Sequence, residues 1–178
     1  MEIAILPSRP DAATTGRLAE IVNEAYAEGE KGLWRAGTPR TSPAEIAELA
    51  ARGRLAVARR EGRILGAVRV QMLEPALGRL GMLAADPRER GRGVGRELVR
   101  FAEEHARSAG AAAMQLELLV PIGGEHPVKE FLRAWYTRIG YRPAGVESLA
   151  ADYPDLAPLL AVPCELAVFR KEFSASFI

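Results

Sequence analysis

The chain has 178 residues, of which 48% are hydrophobic and 26% charged, and a net charge of +1. That is the make-up of one soluble globular domain with a proper core, and so small a net charge excludes general attraction to nucleic acid. A single cysteine, Cys164, excludes an intrachain disulfide; the lack of a basic leader or of any apolar run of about 18 residues predicts a cytoplasmic protein without a secretory signal or membrane span.

Residues 3–6 read as a short strand, and Pro10-Asp11 opens a helix whose apolar stripe is Leu18, Ile21, Val22 and Ala25. Residues 28–41 hold Gly29, Gly32, Gly37 and Pro39 and read as a loop. Ser42-Pro43-Ala44-Glu45 is a capping box with proline at the first helical position, starting a helix through Ile46 and Leu49 that stops at Gly53. Residues 55–58 and 64–72 are strands joined by a tight turn at Glu61-Gly62. Residues 80–85 form a buried strand that stops at Asp86-Pro87. Beyond a glycine-rich loop, Val94, Leu98, Phe101, Ala102 and Ala109 recur at helical spacing up to Gly110. Residues 114–120 form the next strand. Pro127 starts a helix with Val128, Phe131, Leu132, Trp135 and Ile139 inward, and Gly140 ends it. Residues 141–149 and 164–173 read as the last strands, with a turn or short helix at 153–160 between them. Strands on both sides of one parallel crossover predict an α/β (α+β) fold, a mixed sheet packed by helices.

The most informative stretch is Arg90-Gly91-Arg92-Gly93-Val94-Gly95, lying between strand and helix. Such a loop is an anion cradle. Glycines let the backbone approach a ligand, first-turn N–H groups lack internal partners, and the helix dipole favours negative charge. Arg88, Arg90, Arg92 and Arg96 add positive charge at the same spot, so the expected ligand carries phosphates. No Lys-Ser or Lys-Thr pair exists to make a Walker loop, and the spacing Gly91-x-Gly93-x-Gly95 is not a dinucleotide fingerprint.

What remains is Arg-x-x-Gly-x-Gly, filled by Arg90, Gly93 and Gly95. It resembles the coenzyme-A pyrophosphate loop of the GNAT superfamily of acyltransferases. The surroundings resemble that family too: a strand ending in Pro87, a second strand at 114–120, and a helix closing with Tyr136-Thr137-Arg138-Ile139-Gly140-Tyr141, together covering about residues 55 to 145.

The resemblance implies a GNAT-like mixed, mostly antiparallel sheet, with a central parallel strand pair splayed at the cofactor site and helices on both faces. It implies acetyl-CoA as acyl donor and direct attack on its thioester by an amine. Arg90, Gly91, Arg92, Gly93, Val94, Gly95 and Arg96 then hold the diphosphate. The backbone of Leu83, Ala84 and Ala85 holds the pantetheine arm and acetyl carbonyl. Tyr136 occupies the position of the family's tyrosine that protonates the leaving thiolate; the other reading is a packed helix residue.

Two positions depart from the family. Several members carry a glutamate base where this chain has Arg79, so the base candidates are Glu117, Glu125 and His126, or a water chain to solvent. His126, just before Pro127, also reads as a solvent-facing residue. Many members have Asn seven residues before the tyrosine, where this chain has Lys129, which has a cofactor phosphate as an alternative partner. In the family the segment between the first two helices shapes the acceptor pocket. Here it is residues 26–41, with Glu28, Glu30, Trp34 and Arg40 as candidate contacts. Carboxylates suit a cationic amine, Arg35 and Arg40 suit a carboxylate-bearing one, and Trp34 tucked against the core is the alternative reading. The expectation is an acetyltransferase acting on an amine of a small molecule or peptide, as monomer or homodimer and without a metal. The rival is a catalytically weak acyl-CoA-binding protein. Aromatics at 6%, not interleaved with the arginines, argue against a nucleic-acid binder.

Overall fold

The computed structural model describes residues 1–174. After a short strand, β1 (Glu2–Ile5), Asp11 caps the first helix by accepting from the Thr14 amide at 2.7 Å. That helix, α1 (Ala12–Gly29), buries Leu18, Ile21 and Val22 as its apolar spacing requires. Helix α2 (Pro43–Ala51) starts on Ser42, whose hydroxyl accepts from the Glu45 amide at 3.2 Å. The Glu45 carboxylate turns instead to the Thr41 hydroxyl at 2.8 Å, so the box closes from one side. Strands β2 (Leu55–Arg60) and β3 (Arg63–Glu74) meet through Glu61 and Gly62, with φ of 50° and 78°, the double left-handed turn that matches strand twist.

Next come β4 (Leu77–Ala85), α3 (Val94–Ser108), β5 (Ala113–Pro121), α4 (Pro127–Arg138), β6 (Arg142–Glu147), α5 (Leu149–Asp152) and β7 (Cys164–Glu172). The strands make one seven-stranded sheet in the order β1-β2-β3-β4-β5-β7-β6. All neighbours are antiparallel except β4 and β5, which α3 joins as a parallel crossover. Helices α3 and α4 cover one face, where Leu98, Ala102, Tyr136 and Tyr141 pack on Val68, Leu80, Met114 and Leu116. Helices α1 and α2 cover the other, where Ile21, Val22 and Ile46 pack on Leu55, Val57, Met82 and Ala84. A smaller cluster of Leu33, Leu119, Leu149 and Leu166 continues this second face past β5. Among the described residues no helix is long and apolar enough to cross a membrane.

Two expectations about the last third are corrected. Phe131 does not face inward: it is 61% exposed, while Lys129 and Tyr136 are the buried positions of α4. The helix is turned so that a lysine, not an aromatic, meets the interior, because a buried carboxylate awaits it there. The strand expected over 141–149 ends at Glu147, and Leu149 instead begins α5, capped by Ser148.

Candidate active site

The parallel pair is short. Leu77, Gly78 and Arg79 face Ala113, Met114 and Gln115, and there the pairing stops. Beyond it β4 stays with β3 as far as Ala85, and β5 stays with β7 as far as Pro121. The facing edges of 80–85 and 116–121 thus border a gap with no strand between them.

A bulge in β4 opens that gap. Ala84 faces Ala67 and Gly81 faces Arg69, so Met82 and Leu83 together oppose Val68. Met82 takes a φ of 48°, a left-handed backbone that costs a non-glycine residue roughly 1 to 2 kcal/mol. The extra residue reverses the strand's alternation. Leu80 packs under α3, Met82 and Ala84 pack under α1, and Leu83 and Ala85 return to the α3 side. The strand bends away from β5 at the same place, leaving the Leu83–Ala85 backbone on the gap.

The loop after β4 lies at the gap's mouth. Its frame is two buried carboxylates. Asp86 accepts from the Arg88 amide at 3.0 Å and from Arg17 at 2.6 Å, and Glu89 accepts from Arg63 at 3.0 Å and Arg60 at 3.3 Å. Gly91 and Gly93 have φ of 75° and 79°, and Gly93 caps α3 without any side-chain bond. A Cβ added to Gly91, Gly93 or Gly95 would meet nothing within 4 Å. Open space therefore lies before the free first-turn N–H groups of α3, which Val94, 1% exposed, pins to the core. This cradle fits a diphosphate. Arg92 reaches back to Glu89 at 3.4 Å, Arg90 bonds Glu28 at 2.6 Å, and exposed Arg96 has no ion-pair partner among the described residues. The two site candidates Arg90 and Glu28 thus meet in one surface pair.

Tyr136 approaches from the α4 side. It is 4% exposed, its ring edge-on to Tyr141 at 5.6 Å, and its hydroxyl has no protein hydrogen-bond partner among the described residues. Burial, with the Tyr26 phenol nearby, pushes its phenol far above the ordinary tyrosine value, so it remains a proton carrier. Tyr141 beneath it donates to Glu103 at 3.0 Å, and Lys171 closes that network at 2.8 Å.

The remaining candidates lie on the α1 face or where the start of α4 reaches it. Glu30 accepts from the Lys129 ammonium at 2.8 Å and from the Trp34 indole at 2.5 Å. These three form a buried tie between the α1–α2 segment and α4. Lys129 is thereby engaged with Glu30 rather than presented to a phosphate, and Trp34 packs beside the Leu33 and Leu119 cluster. Glu117, on β5 just past the last parallel pair, accepts from Arg79 and, at 3.2 Å, from Gln115; Arg79 also bonds the Tyr153 hydroxyl. His126 uses Nε2 to bond the Lys31 carbonyl at 2.9 Å. It caps the start of α4, ten residues before Tyr136. Arg40 lies 5.1 Å over the Tyr26 ring. Arg79, Tyr153, Tyr26 and Arg69 complete this face; none is a site candidate in the sequence, where Arg79 stands only as the departure from the family's glutamate. Arg79 and Glu117, charges set in otherwise apolar strands, were the available signal.

A family model described as the acetyltransferase (GNAT) family matches residues 18–122, more than half of the sequence. The chain belongs to the GNAT family. No curated protein matches its sequence. Among solved structures, an aminoglycoside 6'-N-acetyltransferase complexed with coenzyme A is 16% identical, with TM-score 0.71 and 97% of each chain covered. The PaiA N-acetyltransferase of Thermoplasma acidophilum, in complex with coenzyme A, is 14% identical, with TM-score 0.70 and coverage of 97% and 98%. The ribosomal-protein-alanine N-acetyltransferase of Brucella melitensis is 18% identical, with TM-score 0.65 and coverage of 97% and 100%. At such identities the likeness is one of fold: the mixed sheet with its single parted parallel pair is the GNAT sheet.

Proposed function

We propose that this protein is a single-domain N-acetyltransferase that moves an acetyl group from acetyl-CoA to an amine of a small molecule or peptide. One observation carries the reading: a glycine cradle at the start of α3 follows the strand that borders the gap between β4 and β5, and Tyr136, its hydroxyl without a protein partner among the described residues, packs in the same cluster as Val94, Leu116 and Leu118. Gly91, Gly93, Gly95 and the α3 N-terminus hold the diphosphate, and Arg96 adds a free charge. Arg90 exchanges Glu28 for phosphate oxygens when the donor arrives. The unpaired edge of Leu83–Ala85 holds the thioester arm through backbone groups.

The amine enters from the α1 face, where Glu117 stands. A carboxylate offers about four lone-pair directions, and the hydrogen bonds to Arg79 and Gln115 fill two. Glu117 accepts an amine N–H through a third and draws off the proton as the nitrogen attacks. The new C–N bond forms, the C–S bond breaks, and Tyr136 gives the departing sulfur its proton from the opposite side. Two groups on opposite faces of a sheet thus serve one reaction because the sheet is open between them. The test is an acetyl-transfer screen over amino acids, polyamines, aminoglycosides and peptide N-termini, read as free thiol released from acetyl-CoA. A protein that binds acetyl-CoA but acetylates nothing would be the catalytically silent binder instead.

A further inference from the structure

Arg69 stands on β3 between Val68 and Val70, which pack under α3, so its side chain lies on the opposite, α1 face. Its register partner on β4 is Gly81. A Cβ there would come within 3.0 Å of Arg69 Nη2, so the glycine is what lets the guanidinium lie across β4, next to the bulge at Met82. Among the described residues Arg69 Nε is buried without a hydrogen-bond partner, and no carboxylate pairs with Arg69. Arg40 is half-buried and equally without a carboxylate; it lies over the Tyr26 ring, and Tyr26 feels the charge of both arginines. Two neighbouring cations on this face are answered by carboxylates: Arg79 by Glu117 and Lys129 by Glu30. Leaving the Arg69 Nε donor buried and unanswered is costly unless a ligand answers it. Glu117 lies on the β5 side of the gap, with Glu147 close enough to feel its charge and that of Asp152. The Arg69 guanidinium thus stands on the β3 side, and the Glu117 carboxylate, which Arg79 engages, on the β5 side.

We propose that Arg69 and Arg40 bind a carboxylate of the acceptor, so that the acceptor is an amino acid or similar molecule bearing an amine and a carboxylate. This rests on the acetyltransferase reading above. A planar guanidinium fork matches carboxylate geometry, and Glu117 receives the amine at the other end.

The experiment supplies acetyl-CoA with a panel of amino acids, each beside its own α-carboxamide, which keeps the amine and side chain and removes the negative charge. The free acids should give kcat/KM about tenfold or more above their amides. Arg69→Gln and Arg40→Gln should each erase that gap by raising the KM for the acid, with the KM for acetyl-CoA unchanged, and Arg69→Lys should restore part of it. The wild-type comparison stands even if a variant fails to fold. Amides used as well as acids, polyamines used alone, or no panel member acetylated while calorimetry records acetyl-CoA binding would each overturn the carboxylate assignment alone. Absence of acetyl-CoA binding would overturn the acetyltransferase reading with it.

Discussion

The Lys129 ammonium and the Glu30 carboxylate meet at 2.8 Å where their side chains are only 5% and 7% exposed. Removing one partner of such a pair strands a charge in the interior at about 3 to 5 kcal/mol. Lys129→Met is therefore expected to lower unfolding free energy by roughly that much in urea titration, and Lys129→Met with Glu30→Gln to recover part of it. Acetyl-CoA affinity of the folded variant should not change. A stable Lys129→Met protein with weakened acetyl-CoA binding would place Lys129 at the ligand instead.

Gly93→Glu puts a side chain and a negative charge into open space before α3. The left-handed backbone at Gly93 makes any side chain there cost roughly 1 to 2 kcal/mol, which the fold tolerates. Calorimetry should find no acetyl-CoA binding, while circular dichroism keeps the wild-type spectrum. Undiminished affinity would contradict the cradle.

Tyr136→Phe removes one hydroxyl that no protein group among the described residues engages. The fold loses nothing, but the leaving sulfur loses its donor, and kcat should fall about 100-fold or more with acetyl-CoA affinity intact. Unchanged turnover would return Tyr136 to the role of a packed ring.

Glu117→Gln keeps the shape and takes away the proton acceptor. Activity should drop about 100-fold, and what remains should climb with pH toward the amine's own pKa near about 10. A variant with the wild-type pH profile would excuse Glu117 from proton transfer.

Burial holds the phenols of Tyr26, Tyr136 and Tyr141 above the ordinary value, for Tyr141 with Glu103 adding to it. Folded, they keep their protons; unfolded, they lose them above about pH 10. Unfolding then releases protons, so stability is fully present below that pH and falls as pH rises past it, by at most ~1.4 kcal/mol per tyrosine per pH unit. Urea titrations from about pH 8 to about pH 11 should record the decline, and a flat response would mean that these rings ionise in place.

The strand–loop–helix unit around Gly93 was readable because its signals are local: an apolar run stopped by Asp86-Pro87, three spaced glycines, then helical periodicity. The bulge at Met82 was not: Gly81 stands beside it, but the left-handed position itself is a methionine, which carries no such signal. Lys129 and Glu30 lie 99 positions apart, and their pairing follows from topology alone. The same pairing explains why Phe131 was wrongly set inward: a helix can be turned by one buried ion pair against its hydrophobic pattern. Arg79 and Glu117 became partners only once β4 and β5 were known to be neighbours.

The most direct measurement is a crystal structure of the protein with acetyl-CoA. Density for the diphosphate should lie against the backbone of Gly91, Gly93 and Gly95, with the thioester between Leu83–Ala85 and Tyr136. Diphosphate density at another surface, with that loop left bare, would contradict the account.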